Sequence, residues 1–410
     1  MLIDFTIENF KSIKEAQTFS LLATGTREHK GNVFRTKEGM RLLKTAVIYG
    51  ANGSGKTNLV EAIRTMTHFI HNSTDAKLGE GIRYHMPFKL DRRCLNEPTK
   101  CEIEFIGTDD IRYLYKISFN AIEVFEEALF FYPKKQEAKL FSREKGKEIE
   151  FGDSLKGAKK SIENQLLPNH LFLSKAANSN HKHLGLVYQS LHKIMIVDTS
   201  QSHWLLKQTV EASLSLKDEQ LQKKMDTLLN YADTGVHRVE LRNVQSDPFS
   251  PSPNYAPFTT HTLFEDGERI GETAFNLLEE SKGTQQMYAL GGVLFTALSE
   301  GRSVCVDELD VSFHSLMTEY IVRLFHNPEV NKHNAQLIFS THDTAVLKSD
   351  LFRRDQVWFA EKDYFGASNI YSLSEFEFDK VRANIPFDKW YLSGRFGALP
   401  LVKGFQAPEE

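Results

Sequence analysis

Residues Gly50-Ala-Asn-Gly-Ser-Gly-Lys56-Thr57 spell G-x-x-x-x-G-K-[ST], between an apolar run, Thr45–Tyr49, and a helical pattern, NLVEAIRTM. These types at this spacing fit one task. Glycines let a loop wrap closely round a phosphate chain, so that backbone N–H groups and the positive end of the following helix point at it. Asn52, Gly53, Ser54, Gly55 and Asn58 would supply the cradle. Lys56, expected to face solvent, would reach the β- and γ-phosphates, and the Thr57 hydroxyl would ligate Mg²⁺.

Three later segments carry matching chemistry. Ser303-Val-Cys-Val-Asp307-Glu308 reads as a short apolar strand ending in two acids: Asp307 beside the metal, Glu308 beside an attacking water. Phosphoryl transfer asks little covalent help of a protein, so a metal anchor and a water-orienting base are the expected equipment. A third strand, Gln336–Ser340, ends in Thr341-His342-Asp343, and His342 at such a tip can hydrogen-bond a γ-phosphate as charge develops. Alone, an acidic strand end or a lone histidine is ordinary; the order after a P-loop gives each a function. The fourth, Glu280-Ser281-Lys-Gly283-Thr284-Gln-Gln286, opens the helix MYALGGVLFTAL. Ser281 or Thr284 can be a simple N-cap, yet a helix start is also an anion site. Two such starts for one nucleotide make sense if the second serves a nucleotide held by another subunit.

The elements that must position these residues follow from periodicity. Residues 1–10 alternate as a half-buried strand, and Cys101–Phe105 with Ile111–Phe119 alternate as an antiparallel pair turning at Gly107–Asp110, which predicts a β-rich lobe. From Pro133 to Lys160 the chain is Lys/Glu-rich and reads as a solvated face. Between about 160 and 245 no strand is predicted before Val236–Val244, and LLKQTVEASLSLKDEQLQKKMDTLLNYA predicts one or two amphipathic helices. Residues 243–258, with Pro248, Pro251, Pro253 and Pro257, read as a connector. Helix over Gly283–Leu298, strand over Ser303–Val306, helix over Phe313–Phe325 and strand over Gln336–Ser340 then alternate as in a parallel α/β core. The expected organisation is residues 1–155 (P-loop and β-lobe), 156–258 (helical insertion and connector) and 259–410 (the remaining core).

Composition sets the outer limits. The 410 residues carry 50 Lys plus Arg against 54 Asp plus Glu, a net charge of -4, which argues against a surface coated by nucleic acid. Lys134, Lys135, Lys139, Arg143, Lys145, Lys147, Lys159 and Lys160 are candidates for local DNA or RNA contact, although Glu137, Glu144, Glu148 and Glu150 dilute their field. Cys94, Cys101 and Cys305 cannot make a disulfide framework. No stretch approaches the roughly 18 apolar residues needed to span a bilayer, so no membrane role and a cytoplasmic location are expected. His181-Lys-His183 lacks acidic or Cys partners at ligand spacing and reads as an exposed loop. Arg395, in Gly-Arg-Phe-Gly, closes a turn or senses a partner.

Taken together, the P-loop, the Ser281 helix start, the Asp307-Glu308 strand and His342 resemble, in that order, the ABC-type ATPase heads of the SMC and RecF class, over Met1 to about Leu155 and Thr260 to about Leu347. The resemblance implies an α/β P-loop head, with a parallel core, an antiparallel β-lobe and a short helical insertion. It implies ATP as the nucleotide and a homodimer or higher homo-oligomer in which two heads sandwich ATP, with Ser281 and Gly283 reaching across. Lys11, in Asn9-Phe-Lys-Ser12, would lie near the phosphates. The class's usual S-G-G-Q reads Ser281-Lys-Gly283-Thr here, and no glutamine takes its glutamine-loop position. Glu279–Thr284, Asp307–Asp310, Ser340–Asp343, Asp355–Phe359 and Tyr391–Pro400 resemble the compact bacterial ATPases of the abortive-infection L and RloA type. That likeness implies an anti-phage switch ATPase gating a nuclease-like effector. Two readings stay open beside it: a RecF-like DNA-repair ATPase, and a non-hydrolysing nucleotide-bound scaffold for a toxin complex.

Overall fold

The runs TAVIY, SVCVD and QLIFS have almost no polar side, the pattern of strands covered on both faces. In the computed structural model, which describes residues 1–26, 28–216, 219–232, 234–244, 255–311, 313–376 and 386–399, they are neighbours in one six-stranded sheet. Its order is Ile194–Asp198, Ser303–Asp307, Gln336–Ser340, Thr45–Tyr49, Val357–Lys362, Ser368–Ser372; the first five strands run parallel and the last antiparallel.

Alternate side chains of this sheet feed two different cores. Ala46, Ile48, Cys305, Ile338 and Ala360 pack on the P-loop helix, Lys56–Asn72, while Val47, Tyr49, Val306, Phe339 and Phe359 face the opposite way. The P-loop helix buries Leu59, Ile63, Met66 and Ile70, and a second sheet closes over it. That sheet is antiparallel and seven-stranded, in the order Glu150–Phe151, Ala138–Glu144, Val124–Phe131, Arg112–Phe119, Thr99–Ile106, Leu2–Glu8, Gln17–Ser20. The helix that carries the phosphate loop is thus held between two sheets.

The other core gathers helices Ser202–Leu216, Glu219–Tyr231, Lys282–Glu300 and Ser315–His326 against the parallel sheet. Helix Lys282–Glu300 is apolar over most of its circumference and correspondingly buried. It meets Ser202–Leu216 so closely that a Cβ on Gly292 would lie 2.2 Å from Thr209 Cγ2, and Thr209 Oγ1 donates to Ala289 O at 2.6 Å. A three-stranded antiparallel sheet, Arg238–Asn243, Tyr255–Glu265 and Glu268–Asn276, leads into that helix.

Several sequence expectations are corrected. The stretch 160–245 is not free of strands before Val236: Ile194–Asp198 is an edge strand of the parallel sheet. Its four-residue apolar run was too short to be told from a helix segment. The Lys/Glu-rich stretch also contributes strand Ala138–Glu144, which buries Leu140 and Phe141; Arg143 turns inward, donating to His170 O at 2.6 Å and lying 3.7 Å from the buried Glu127, so it is not free for nucleic acid. Lys139 pairs with Glu150, Lys145 with Glu123, Lys147 with Glu144, and Lys160 with Glu148 and Glu163. The Pro-rich connector lies outside the described residues over 245–254, and regular structure returns at Tyr255, earlier than the sequence suggested. Pro400 also lies outside them.

Candidate functional site

The phosphate loop leaves its strand at Gly50 (φ 155°) and enters its helix at Gly55 (φ 114°). Neither position has room for a side chain: a Cβ would stand 2.3 Å from Ala360 O at the first and 2.2 Å from Ser368 Oγ at the second. Asn52 and Gly53 are exposed at the crest, whereas Ser54 is buried with its hydroxyl unpartnered. Lys56 is buried rather than solvent-facing. Its ammonium donates to Gly50 O at 2.7 Å and Ala51 O at 3.1 Å, so it fills the ring of carbonyls that the loop makes. Burial lowers its pKa, against the opposing pull of Asp307, Glu308 and Asp310.

A hydroxyl network ties this loop to its surroundings. Asn58 Nδ2 donates to Ser12 Oγ at 2.6 Å, and Ser368 Oγ donates to Ser54 O at 2.7 Å. The 2.7 Å contact between the two serine hydroxyls therefore runs from Ser12 to Ser368. Ser12 sits in a tight turn closed by reciprocal Phe10–Ile13 backbone bonds, with Asn9 and Lys11 at positive φ. Lys11 extends to Glu61, 3.5 Å away on the P-loop helix; Glu61 pairs with Arg64, and Arg64 with Asp198 at 3.1 Å.

Parallel register builds the acidic side. Val306 faces Phe339, so the next residues, Asp307 and Ser340, stand side by side at the strand tips. Ser340 Oγ donates to Asp307 Oδ1 at 2.5 Å and accepts from Glu308 N at 2.8 Å. Glu308 takes a left-handed backbone, φ 52°, unusual for a residue with a side chain. His342 Nε2 lies 4.0 Å from Glu308 Oε1, with both side chains open to solvent, and His342 N donates to Asp310 Oδ2 at 3.2 Å. Across from them, Thr57, Asp198 and Asp307 line one cleft of about 230 Å³ beside the P-loop helix. A hydroxyl and carboxylates suit Mg²⁺, which takes oxygen ligands from one or two protein groups and completes its shell with phosphate oxygens and water. Among the described residues no group of three or more His, Cys, Asp or Glu is arranged to hold a metal by itself.

The structure brings Lys56, Thr57, Asp307, Glu308 and His342 to the C-terminal edge of the parallel sheet; Lys11 reaches the P-loop helix through Glu61. Ser281 and Gly283 stand apart: among the described residues no hydrogen bond or ion pair joins them to residues 50–58. Ser281 Oγ accepts from Thr284 N at 3.2 Å as an N-cap, and this helix start is exposed. His181 caps helix Lys182–Leu191, His183 touches Tyr113 OH, and Arg395 lies over the Trp390 ring at 4.4 Å.

Residues 46–348 match the family described as "AAA domain, putative AbiEii toxin, Type IV TA system". The chain belongs to this AAA family. No curated protein matches the sequence. Solved structures similar to this AAA chain include the SMC head domain from Thermotoga maritima, 14% identical, covering 90% of this chain and 98% of that one at a TM-score of 0.40. An Smc head domain with an extended coiled coil, bound to the C-terminal domain of ScpA derived from Pyrococcus furiosus, is 12% identical over 90% and 96% at 0.44. The recombination mediator protein RecF-ATP of the RecFOR pathway is 12% identical over 90% and 99% at 0.38. No helix among the described residues is long and apolar enough to cross a membrane.

Sequence reasoning missed Ser340 as a bridge, Ser368 as a floor to the P-loop, and Asp198. The last had a legible signal, because IMIVD repeats the apolar-run-then-Asp pattern of SVCVD and pairs with it in register, Asp198 beside Asp307. Gln201 Nε2 donates to Asp198 Oδ2 at 3.0 Å, which brings a glutamine to the rim of the cleft.

Proposed function

We propose that the protein binds ATP with Mg²⁺ and hydrolyses it as a switch. The observation that carries this is the shared cleft of Thr57 and Asp307, with Glu308 and His342 on the adjoining strand tips. Lys56 and the loop N–H groups would hold the β- and γ-phosphates. Glu308 would orient a water toward the γ-phosphorus and take its proton, while Lys56 and His342 offset charge on the phosphoryl oxygens; the products are ADP and phosphate. Bound Mg²⁺, held by Thr57 and Asp307, would supply further neutralisation of the β- and γ-oxygens. Gln201, which bonds Asp198 at the end of the strand beside Asp307, would fill the glutamine-loop role.

The switch reading extends to assembly. An exposed, serine-capped helix start unattached to its own P-loop supports heads that pair, each Ser281–Gly283 segment facing the partner's nucleotide. The abortive-infection resemblance and the toxin–antitoxin wording of the family description support a role in anti-phage defence with a nuclease-like effector. The deciding experiment measures phosphate release from Mg-ATP by wild type, Lys56→Ala and Glu308→Gln. Turnover in wild type, loss of binding in Lys56→Ala, and binding without turnover in Glu308→Gln are expected. Full turnover by Lys56→Ala would overturn the reading.

A further inference from the structure

The turn Asp363–Ala367, between strands Val357–Lys362 and Ser368–Ser372, is closed unusually well for a surface loop. Asp363 Oδ1 accepts from Phe365 N at 2.9 Å and Ala367 N at 2.8 Å, Asp363 N donates to Ala367 O at 2.9 Å, and Gly366 N donates to Asp363 O at 3.1 Å. This bonding thrusts two aromatic side chains outward: Tyr364 is 96% exposed and Phe365 73% exposed, with rings edge to face at 5.4 Å. Leu90, itself 72% exposed, lies over Gly366, where a Cβ would meet Leu90 Cδ1 at 2.5 Å. Beneath this shelf Ala367, Phe88 and Cys94 form a small buried cluster. Single exposed apolar residues are ordinary, but three side by side on a rigid support mark a contact surface.

The foot of the same turn is the floor of the phosphate loop. Ser368 N donates to Ser12 O, and Ser368 Oγ to Ser54 O, both at 2.7 Å. Tyr364 is four residues from Ser368, so its backbone lies within about 14 Å of Ser368, which itself bonds the P-loop at Ser54 O, however the turn is drawn. A triphosphate with its terminal phosphates toward Asp307 would leave its sugar and base on the side of the helix start where Asn58 bonds Ser12 and Ser12 bonds Ser368. We propose that the patch of Tyr364, Phe365 and Leu90 seats the base of the nucleotide held by the P-loop, one ring face stacking on the base while the other ring, set edge to face, borders it. This rests on the reading that the P-loop holds a nucleoside triphosphate. The patch offers apolar faces, with the Tyr364 hydroxyl at its edge and Asp363 Oδ1 committed to the turn. Such a surface favours purines through stacking area and discriminates little between adenine and guanine.

The experiment titrates the full chain, with Mg²⁺, using ATP, GTP and inorganic tripolyphosphate, for wild type and for Tyr364→Ser with Phe365→Ser. Base–aromatic stacking predicts ATP and GTP binding about tenfold weaker in the double variant, with tripolyphosphate unchanged. A Phe365→Trp variant should show emission that changes with ATP and not with tripolyphosphate. Unchanged ATP binding would overturn the proposal. So would a parallel loss of ATP and tripolyphosphate, which would make the turn a prop for the P-loop. Altered sedimentation of the nucleotide-free double variant with ATP affinity intact would assign the patch to a second copy of the chain instead. Wild type that binds neither ATP nor tripolyphosphate would instead sink the nucleotide reading itself.

Discussion

Ser340→Ala removes one hydroxyl and tests how the acidic side of the site is held. Ser340 is fully buried, and its single oxygen serves Asp307 as donor and Glu308 N as acceptor. Hydrogen bonds to charged groups contribute about 1.5–3 kcal/mol, and a buried donor left without a partner costs about 1–3 kcal/mol. Asp307 and Glu308 are only half-buried, so water recovers part of each, and a net destabilisation of about 2 kcal/mol is expected. Glu308 also holds a left-handed φ of 52°, which costs a non-glycine residue on the order of 1 kcal/mol. Without the bond to its N–H, the backbone relaxes and the carboxylate leaves its place, so turnover should fall at least tenfold. Freed from Ser340, Asp307 should also raise the Mg²⁺ concentration required. Urea unfolding of the nucleotide-free chain reads the first effect, and phosphate release across a Mg²⁺ titration the others. Because the hydroxyl acts through Asp307, Ser340→Ala should do less in an Asp307→Asn background, with coupling of about 1 kcal/mol or more. Stability within 0.5 kcal/mol of wild type together with unchanged turnover, or strict additivity with Asp307→Asn, would refute the reasoning.

Glu308→Gln keeps the side chain's shape but cannot take a proton, so gel filtration in Mg-ATP should show a longer-lived assembled species than wild type. Lys56→Ala chains mixed with Ser281→Arg chains should partly regain turnover, because heterodimers hold one site with both lesions and one with neither; a mixture as dead as its parents, with heterodimers demonstrably formed, counts against paired heads. His326 and His71 have pKa values lowered to about 3, mainly by burial. The unfolded chain binds their protons from about pH 6.5 downward while the folded chain does not, so stability should fall as pH drops below 6.5 toward 3, by about 2 kcal/mol for each histidine by pH 5. His326→Gln should flatten that slope in urea titrations; an unchanged slope would show that His326 is not its source.

Much of the core was legible because burial on both faces leaves an unbroken apolar run, as in TAVIY, SVCVD and QLIFS. What stayed hidden shows where single-chain patterns stop. Strand Val124–Phe131 carries a fully buried Glu127 that accepts from Tyr115 OH, Phe172 N and Leu173 N, and this acid breaks the alternation that would have revealed the strand. The P-loop residues were readable from spacing, since all of them lie on one continuous turn. Ser340 was not, because its meaning depends on which strand lies beside Ser303–Asp307 and in what register. Lys56 was misread for a similar reason: its burial comes from the loop closing over it, a property of φ at Gly50 and Gly55 rather than of residue type.

The ion pairs Lys11–Glu61–Arg64–Asp198 run along the P-loop helix from the N-terminal turn to the cleft at Asp307, and their magnitudes decide what they do. The Lys11 side chain is 33% exposed and Glu61 17%, with 3.5 Å between the charges, and pairs of this kind contribute about 0.2–1 kcal/mol. They are too weak to be what holds the helix between its two sheets, a task that falls to Leu59, Ile63, Met66 and Ile70. They are weak enough, however, to be surrendered to a triphosphate carrying several negative charges. Glu61→Gln should therefore leave urea stability within about 0.5 kcal/mol of wild type. It should tighten ATP binding by about two- to fivefold, since Lys11 no longer has to leave a carboxylate, and the gain should shrink as salt rises. A loss of more than 1 kcal/mol in stability would make the chain of charges structural, and ATP binding that weakens would show that Glu61, not Lys11, is the group the nucleotide needs.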